Sequence, residues 1–193
     1  MKALLPWIDV EAVDVALYMP TDAFIDSALL CSGYAKAAAR LGVTLRPNCK
    51  VKEIMVEGER ICGVRLADGE CVEAPVVVNA AGSWANLLMR PLHVGLPFTP
   101  VRSHFWITKI DKERFPAGHP FTVIPDARAF TRSDVGALII GLRESHCQAF
   151  DPAAMTEKLE DFDFHKEAEW TVLDECASLL KPYLHDIEDL PIA

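Results

Sequence analysis

No string of the type G-x-G-x-x-G, G-K-S/T, G-x-S-x-G or H-E-x-x-H occurs in these 193 residues. The glycines stand singly, at positions such as Gly33, Gly42, Gly58, Gly63 and Gly69, so no stretch of backbone forms a phosphate cradle. Without a nucleophile elbow, a zinc helix or a phosphate loop, hydrolase and nucleotidase readings are poor. Basic charge is scarce: 19 Lys and Arg against 28 Asp and Glu give a formal charge of −9, which argues against nucleic acid or an anionic membrane as a partner. Uncharged apolar runs fall far short of the ~20 residues that span a bilayer. The N-terminus lacks the basic region, apolar core and cleavage site of a secretory signal. Among Cys31, Cys49, Cys62, Cys71, Cys147 and Cys176 there is no C-x-x-C pair, so buried or partly buried reduced thiols in a cytoplasmic-type compartment are expected. His93, His119, His146, His165 and His185 lack metal-ligand spacing, and no metal site is expected.

What is present suits a folded chain. A hydrophobic content of 51% supplies a real core, and the length suits one domain or two small ones. The most informative ten residues are Val76 to Ala85, VVVNAAGSWA. The apolar, β-branched run from Ala74 to Val78 has the pattern of a strand covered on both faces. Asn79, Ala80, Ala81 and Gly82 then remove side-chain bulk, so a flat or charged ligand can approach the main chain. Ser83 is placed to cap a helix that starts at Trp84 and stops before Pro91. An ordinary strand-to-helix turn would carry the same residues.

Two interleaved regions follow from the rest of the pattern. Asp26 or Ser27 can cap a helix whose apolar positions Leu30, Tyr34, Ala37, Ala38 and Leu41 recur at helical spacing, with Gly42 as its stop. Strand signals at Cys49 to Val56, Ile61 to Leu66 and Glu70 to Val72, reversed at Glu57-Gly58 and Asp68-Gly69, predict a small meander. After Pro97 come β-rich pieces at Val101 to Ile110, Phe121 to Ile124, Ala127 to Thr131 and Ala137 to Leu142, the pattern of an antiparallel sheet. The acidic stretch from Thr156 to Asp189 is helical in character, with Trp170, Leu173, Leu179 and Leu180 as candidate core contacts.

Five segments together carry a family resemblance: ALYMPTDAFI from Ala16, GYAKAAARLGV from Gly33, CKVKEI from Cys49, VVVNAAGSWA from Val76 and PVRSHFWIT from Pro100. In this order, over about Ala16 to Gly141, the chain resembles the D-amino-acid oxidase-like family of FAD-dependent oxidoreductases, and most of all its sarcosine and dimethylglycine dehydrogenase and glycine oxidase branch. The resemblance implies an α/β chain (α+β overall), with a partial Rossmann-like FAD-binding layer over residues 26–96. An antiparallel-sheet substrate domain would take residues 1–25 and 97–193. It also implies FAD as cofactor and oxidation of the C–N bond of an amino acid or N-methyl amino acid by hydride transfer to flavin. The family's opening strand, G-x-G-x-x-G turn and helix, and its C-terminal closing segment, have no counterpart here. The expectation is the central piece of a longer flavoprotein, inactive alone, whose partner is the remainder of that flavoprotein or a second copy.

The resemblance also assigns residues. Val51, flanked by Cys49 and Lys50, would meet the adenine through backbone groups, although a plain core strand would look the same. The N-A-A-G-x-W turn of Asn79, Ala80, Ala81, Gly82 and Trp84 would lie near the flavin, Gly82 permitting close approach and Trp84 walling the pocket. Phe130 and Arg132 fall on a strand that in many relatives carries Tyr-x-Arg above the flavin ring. Phe keeps the aromatic wall and loses the hydroxyl. Arg132 suits a substrate carboxylate, with an ion pair to Asp134 as the ordinary alternative. Arg102 reads as structural, with a role in orienting the substrate pocket as the second reading, and His104 reads as structural. No catalytic acid or base is assigned. Departures at Ala23, Ser27 and Phe130 keep a second function class open, a non-catalytic regulatory or binding subunit on the same fold.

Overall fold

The computed structural model describes residues 1–154 and 169–193. The helical expectation for residues 156–168, and His165, lie outside the described residues. The chain divides into two compact units, one of residues 25–101 with 149–154 and one of residues 1–24, 102–148 and 169–193. Two-residue strands, β4 (Val101–Arg102) and β9 (Gln148–Ala149), lie where the chain passes from one unit to the other.

The first unit opens with helix α1 (Ser27–Arg40), whose cap is Asp26: its carboxylate accepts the Leu29 N–H at 2.9 Å. Gly42, at φ +87°, supplies the left-handed residue past the last turn. None of the helix is buried, and Leu29 and Tyr34 are each 71% exposed. The predicted meander is formed by β1 (Val51–Glu57), β2 (Arg60–Leu66) and β3 (Cys71–Glu73), antiparallel in that order. At Gly63 the β3 backbone comes so close that a Cβ would overlap the Val72 carbonyl oxygen, and its φ of +150° also calls for glycine. Among the described residues, the buried apolar side chains in this unit are few: Ile54, Leu66, Ala85 and Pro152.

The expected central strand from Ala74 to Val78 is not formed. The Ala74 N–H still donates to the Cys62 carbonyl of β2, but beyond it the segment is extended with no strand paired to it among the described residues, and Val76 and Val78 are 74% and 84% exposed. A strand is defined by its neighbours' hydrogen bonds, and an apolar β-branched run cannot supply them itself. The helix after it also differs from expectation. A 3-10 turn (Gly82–Trp84) leads into α2 (Ala85–Met89) and a second 3-10 turn (Arg90–Leu92), and Ser83 caps nothing. Asn79 ties this corner instead. Its side chain donates to the Ala85 carbonyl at 3.0 Å and accepts the Ala81 N–H at 3.3 Å.

The second unit holds the main core. Strands β5 (Phe105–Ile107), β6 (Thr122–Ile124), β7 (Ala129–Asp134) and β8 (Ala137–Leu142) form an antiparallel sheet in the order β5-β8-β7-β6. Alternation along β7 sends Ala129, Thr131 and Ser133 inward and leaves Phe130 and Arg132 on the other face. The inward face packs against helix α3 (Trp170–Leu180) and the N-terminal segment, in a cluster that includes Leu5, Trp7, Ile8, Trp106, Leu138, Ile140, Cys176 and Leu180. The helix contributes Cys176, Ala177 and Leu180 to that core. Leu173 and Leu179 pack partly buried at its margin, and Trp170, at the helix start, is 43% exposed, so it is not a core contact.

The cysteines also depart from expectation. Cys176 is buried and Cys62 intermediate, but Cys31, Cys49, Cys71 and Cys147 are exposed. Cys31 lies on the uncovered helix α1, while Cys49 precedes edge strand β1 and Cys71 opens edge strand β3, so neither location has a layer above it. All six are free thiols.

Candidate functional site

Val51 begins β1, an edge strand of the meander. It pairs with Leu66 on one side, and being at the edge it presents backbone groups on the other, which suits a base read through main-chain hydrogen bonds. The segment before it is anchored from below. The Lys50 carbonyl accepts the Ala67 N–H at 2.9 Å. The Arg46 guanidinium grips Glu70 through two hydrogen bonds of 2.8 and 2.7 Å, and that hydrogen bonding holds the Glu70 carboxyl below its ordinary range. Arg65 donates to Glu53 at 2.6 Å and to the exposed Cys71 sulfur at 3.1 Å.

The N-A-A-G-x-W turn is open. Gly82 has φ +53°, and a Cβ placed there would meet nothing within 4 Å. Trp84 is 47% exposed, and its N–H closes the 3-10 turn onto the Ala81 carbonyl at 3.0 Å. An uncluttered glycine beside an exposed indole fits the flavin end of FAD, and an edge-strand backbone at Val51 fits the adenine end. For the pyrophosphate there is no fitting glycine-rich loop anywhere in the sequence. Two shallow recesses of about 500 and 240 Å³ in the same unit are lined by other residues, Glu57 to Pro75 in one case and Ser83 to Pro152 in the other.

In the other unit, the outward face of the sheet gathers the substrate-side candidates. Cross-strand register places Phe105, Gly141, Phe130 and Val123 in one row and Ile107, Ile139 and Arg132 in the next. Phe130 packs against Phe121, ring centroids 5.4 Å apart. Arg132 is held from two sides: its guanidinium lies 4.8 Å over the Phe24 ring and donates to Asp134 at 3.0 Å. The ordinary ion pair is therefore formed. It occupies one donor of a fork with five, so the remaining N–H groups keep their capacity for a carboxylate.

Arg102 donates to Gln148 at 2.8 Å and to Glu169, while its Nε is buried without a partner. His104 is fixed through Glu144, which takes both its backbone N–H at 2.8 Å and its Nδ1 at 3.1 Å, and its ring stacks on Trp106. Nothing in the sequence marked Glu144 or Glu169 as partners, because each lies far along the chain from the residue it serves. Also unforeseen was Trp7, whose indole N–H reaches the buried Thr131 hydroxyl at 3.3 Å; the apolar L-L-P-W-I string at Leu4 to Ile8 was the available signal. Among the described residues no cluster of His, Cys, Asp and Glu is arranged to hold a metal ion. No helix there is long and apolar enough to cross a membrane.

The profile of the family described as FAD dependent oxidoreductase (DAO) matches residues 1–190. Human mitochondrial sarcosine dehydrogenase is 32% identical over 113 residues, which is 56% of this chain and 12% of that protein. D-amino acid dehydrogenase of Xylella fastidiosa (strain M12) is 33% identical over 132 residues, 67% of this chain and 29% of that protein. Among solved structures, L-proline dehydrogenase from P. horikoshii superposes over the whole chain with a TM-score of 0.76 at 23% identity, the match covering 48% of that protein. Glycine oxidase from Bacillus cereus ATCC 14579 gives 0.65 at 18% identity, again over 48% of its length. The chain thus spans half or less of each relative, and it belongs to the DAO family of FAD-dependent oxidoreductases.

Proposed function

We propose that this chain forms the middle of an FAD-dependent oxidoreductase that oxidises the C–N bond of an amino acid or N-methyl amino acid. The observation that carries the reading is the family match over residues 1–190. The names of the relatives, sarcosine dehydrogenase and D-amino acid dehydrogenase, support the substrate class. On this reading residues 25–101 and 149–154 are the cofactor unit. Cys49, Lys50 and Val51 present backbone to the adenine, and Asn79, Ala80, Ala81, Gly82 and Trp84 border the flavin. FAD, when bound, supplies the two-electron acceptor that takes hydride from the carbon beside the amine nitrogen. Residues 1–24, 102–148 and 169–193 are the substrate unit: Phe130 forms an apolar wall, Arg132 takes the substrate carboxylate, and Arg102 supports the pocket from its contacts with Gln148 and Glu169. The free thiols favour a reducing, cytoplasmic-type compartment. The pyrophosphate-binding segment comes from the remainder of the flavoprotein, which also covers the exposed apolar residues Leu29, Tyr34, Val76 and Val78.

Two measurements test this reading. The chain by itself, mixed with FAD and freed of excess, should keep little visible absorbance and should self-associate in light scattering. A yellow monomer with stoichiometric flavin would contradict the division of the cofactor site. In the flavin-loaded whole protein, Arg132→Ala should raise KM for amino-acid substrates far more than for amines without a carboxylate. The lost charge-assisted hydrogen bonding is worth about 1.5–3 kcal/mol. Equal losses for both would assign Arg132 to the scaffold.

A further inference from the structure

Gly141 lies in the middle of β8, between Phe105 on one neighbouring strand and Phe130 on the other. Its backbone is not in the left-handed region, so any residue could adopt its conformation. What excludes a side chain is the Phe130 ring, which lies across the glycine: a Cβ built there would overlap ring atoms Cζ and Cε1. Phe121 backs the same ring at 5.4 Å. An aromatic ring laid over a cross-strand glycine recovers packing that the glycine gives up, and it also keeps the ring down against the sheet instead of standing off it. The result is a low apolar shelf. In the adjoining row the guanidinium of Arg132 is fixed by Phe24 and Asp134, and it is the one charged side chain among the paired residues of these two rows.

We propose that Gly141 is a specificity-determining position: by keeping Phe130 flat, it leaves room above the sheet for the apolar N- or Cα-substituent of an amino acid whose carboxylate is held by Arg132. This rests on the assignment of Arg132 to the substrate carboxylate. A Cβ at 141 forces the ring to turn up into that space. Bulky substrates lose their shelf while glycine, which has nothing to lay on it, is untouched.

The test uses NMR on the flavin-loaded whole protein, with glycine, N-benzylglycine and N-methylbenzylamine as probes. In the wild type the Gly141 Hα resonances should be shifted by the Phe130 ring current, and N-benzylglycine should move the Arg132 Nε resonance while N-methylbenzylamine does not. Gly141→Ala should weaken N-benzylglycine roughly tenfold relative to glycine, the range that small changes of apolar fit produce. Adding Phe130→Leu to Gly141→Ala should restore most of that ratio, which a general loss of structure would not do. An unchanged ratio in Gly141→Ala, with the Arg132 response intact, overturns the proposal alone. Absence of any carboxylate-dependent response at Arg132 in the wild type overturns the Arg132 assignment and this proposal with it.

Discussion

Removing the same three carbon atoms from two leucines should have opposite consequences in this chain. Leu180 is completely buried in the core of the sheet unit, whereas Leu29 on helix α1 is 71% exposed. For Leu180→Ala the lost transfer free energy and the cavity left among Trp106, Leu138, Ile140 and their neighbours combine, and buried Leu to Ala changes cost about 2–5 kcal/mol. Because Leu180 sits between the helix and a hydrogen-bonded sheet, little collapse is available, and about 3 kcal/mol is expected. Leu29→Ala removes surface already in water and gains a little helix propensity, so its effect should stay within about 0.5 kcal/mol. Urea unfolding followed by tryptophan emission separates the two, since Trp7 and Trp106 are both in the Leu180 core and only 6% and 5% exposed. The Leu180→Ala midpoint should fall with an unchanged slope, and the Leu29→Ala midpoint should hold. If Leu29→Ala costs as much as Leu180→Ala, another surface covers helix α1 in solution and the reasoning from its exposure is refuted.

Two further outcomes follow from single groups. Burial first, then the Glu175 charge, push the Cys176 thiol up from 9.0 to about 12. The unfolded chain therefore releases this proton at lower pH than the native one, and stability present below pH 9 is lost between pH 9 and 12 at up to about 1.4 kcal/mol per pH unit. Denaturation midpoints from pH 8 upward should fall more steeply for the wild type than for Cys176→Ala; parallel curves would refute the shift. Gly63→Ala should part β2 from β3 and cost about 2 kcal/mol or more, because both the positive φ and the Val72 carbonyl oppose a side chain. Hydrogen exchange reads it directly at Ala74, whose N–H donates to the Cys62 carbonyl at 3.0 Å, and retained protection there would show that the strands adjust.

Local chemistry made much of this structure legible in advance. Asp26 and Gly42 bracket α1 as capping rules require, and the Gly58 and Gly69 reversals set the meander, because these signals act over a few residues. The strand pieces after Pro97 were visible as β-rich runs, but Val101 to Ile110 broke into two short strands that no periodicity could separate. Val76 to Val78 failed for the complementary reason: its residues specify what a strand needs on its faces, while pairing depends on other segments. Site partners were the least legible. Glu144 and Glu169 become neighbours of His104 and Arg102 only through the fold, and Asp134 was found because it lies two residues from Arg132.

The thin core around Ile54, Leu66 and Ala85 sets the mechanical character of the unit built from residues 25–101 and 149–154. A unit with so little buried apolar area sits at the low end of local stability, so its opening free energy is small and easily raised. Any ligand or polypeptide that binds only its ordered form adds RT ln(1 + [L]/Kd), about 2.7 kcal/mol at a hundredfold excess over Kd. Against a small baseline that increment dominates, and amide protection along helix α1 becomes a gauge of binding: its rise, residue by residue, reports how far any bound surface extends along the helix.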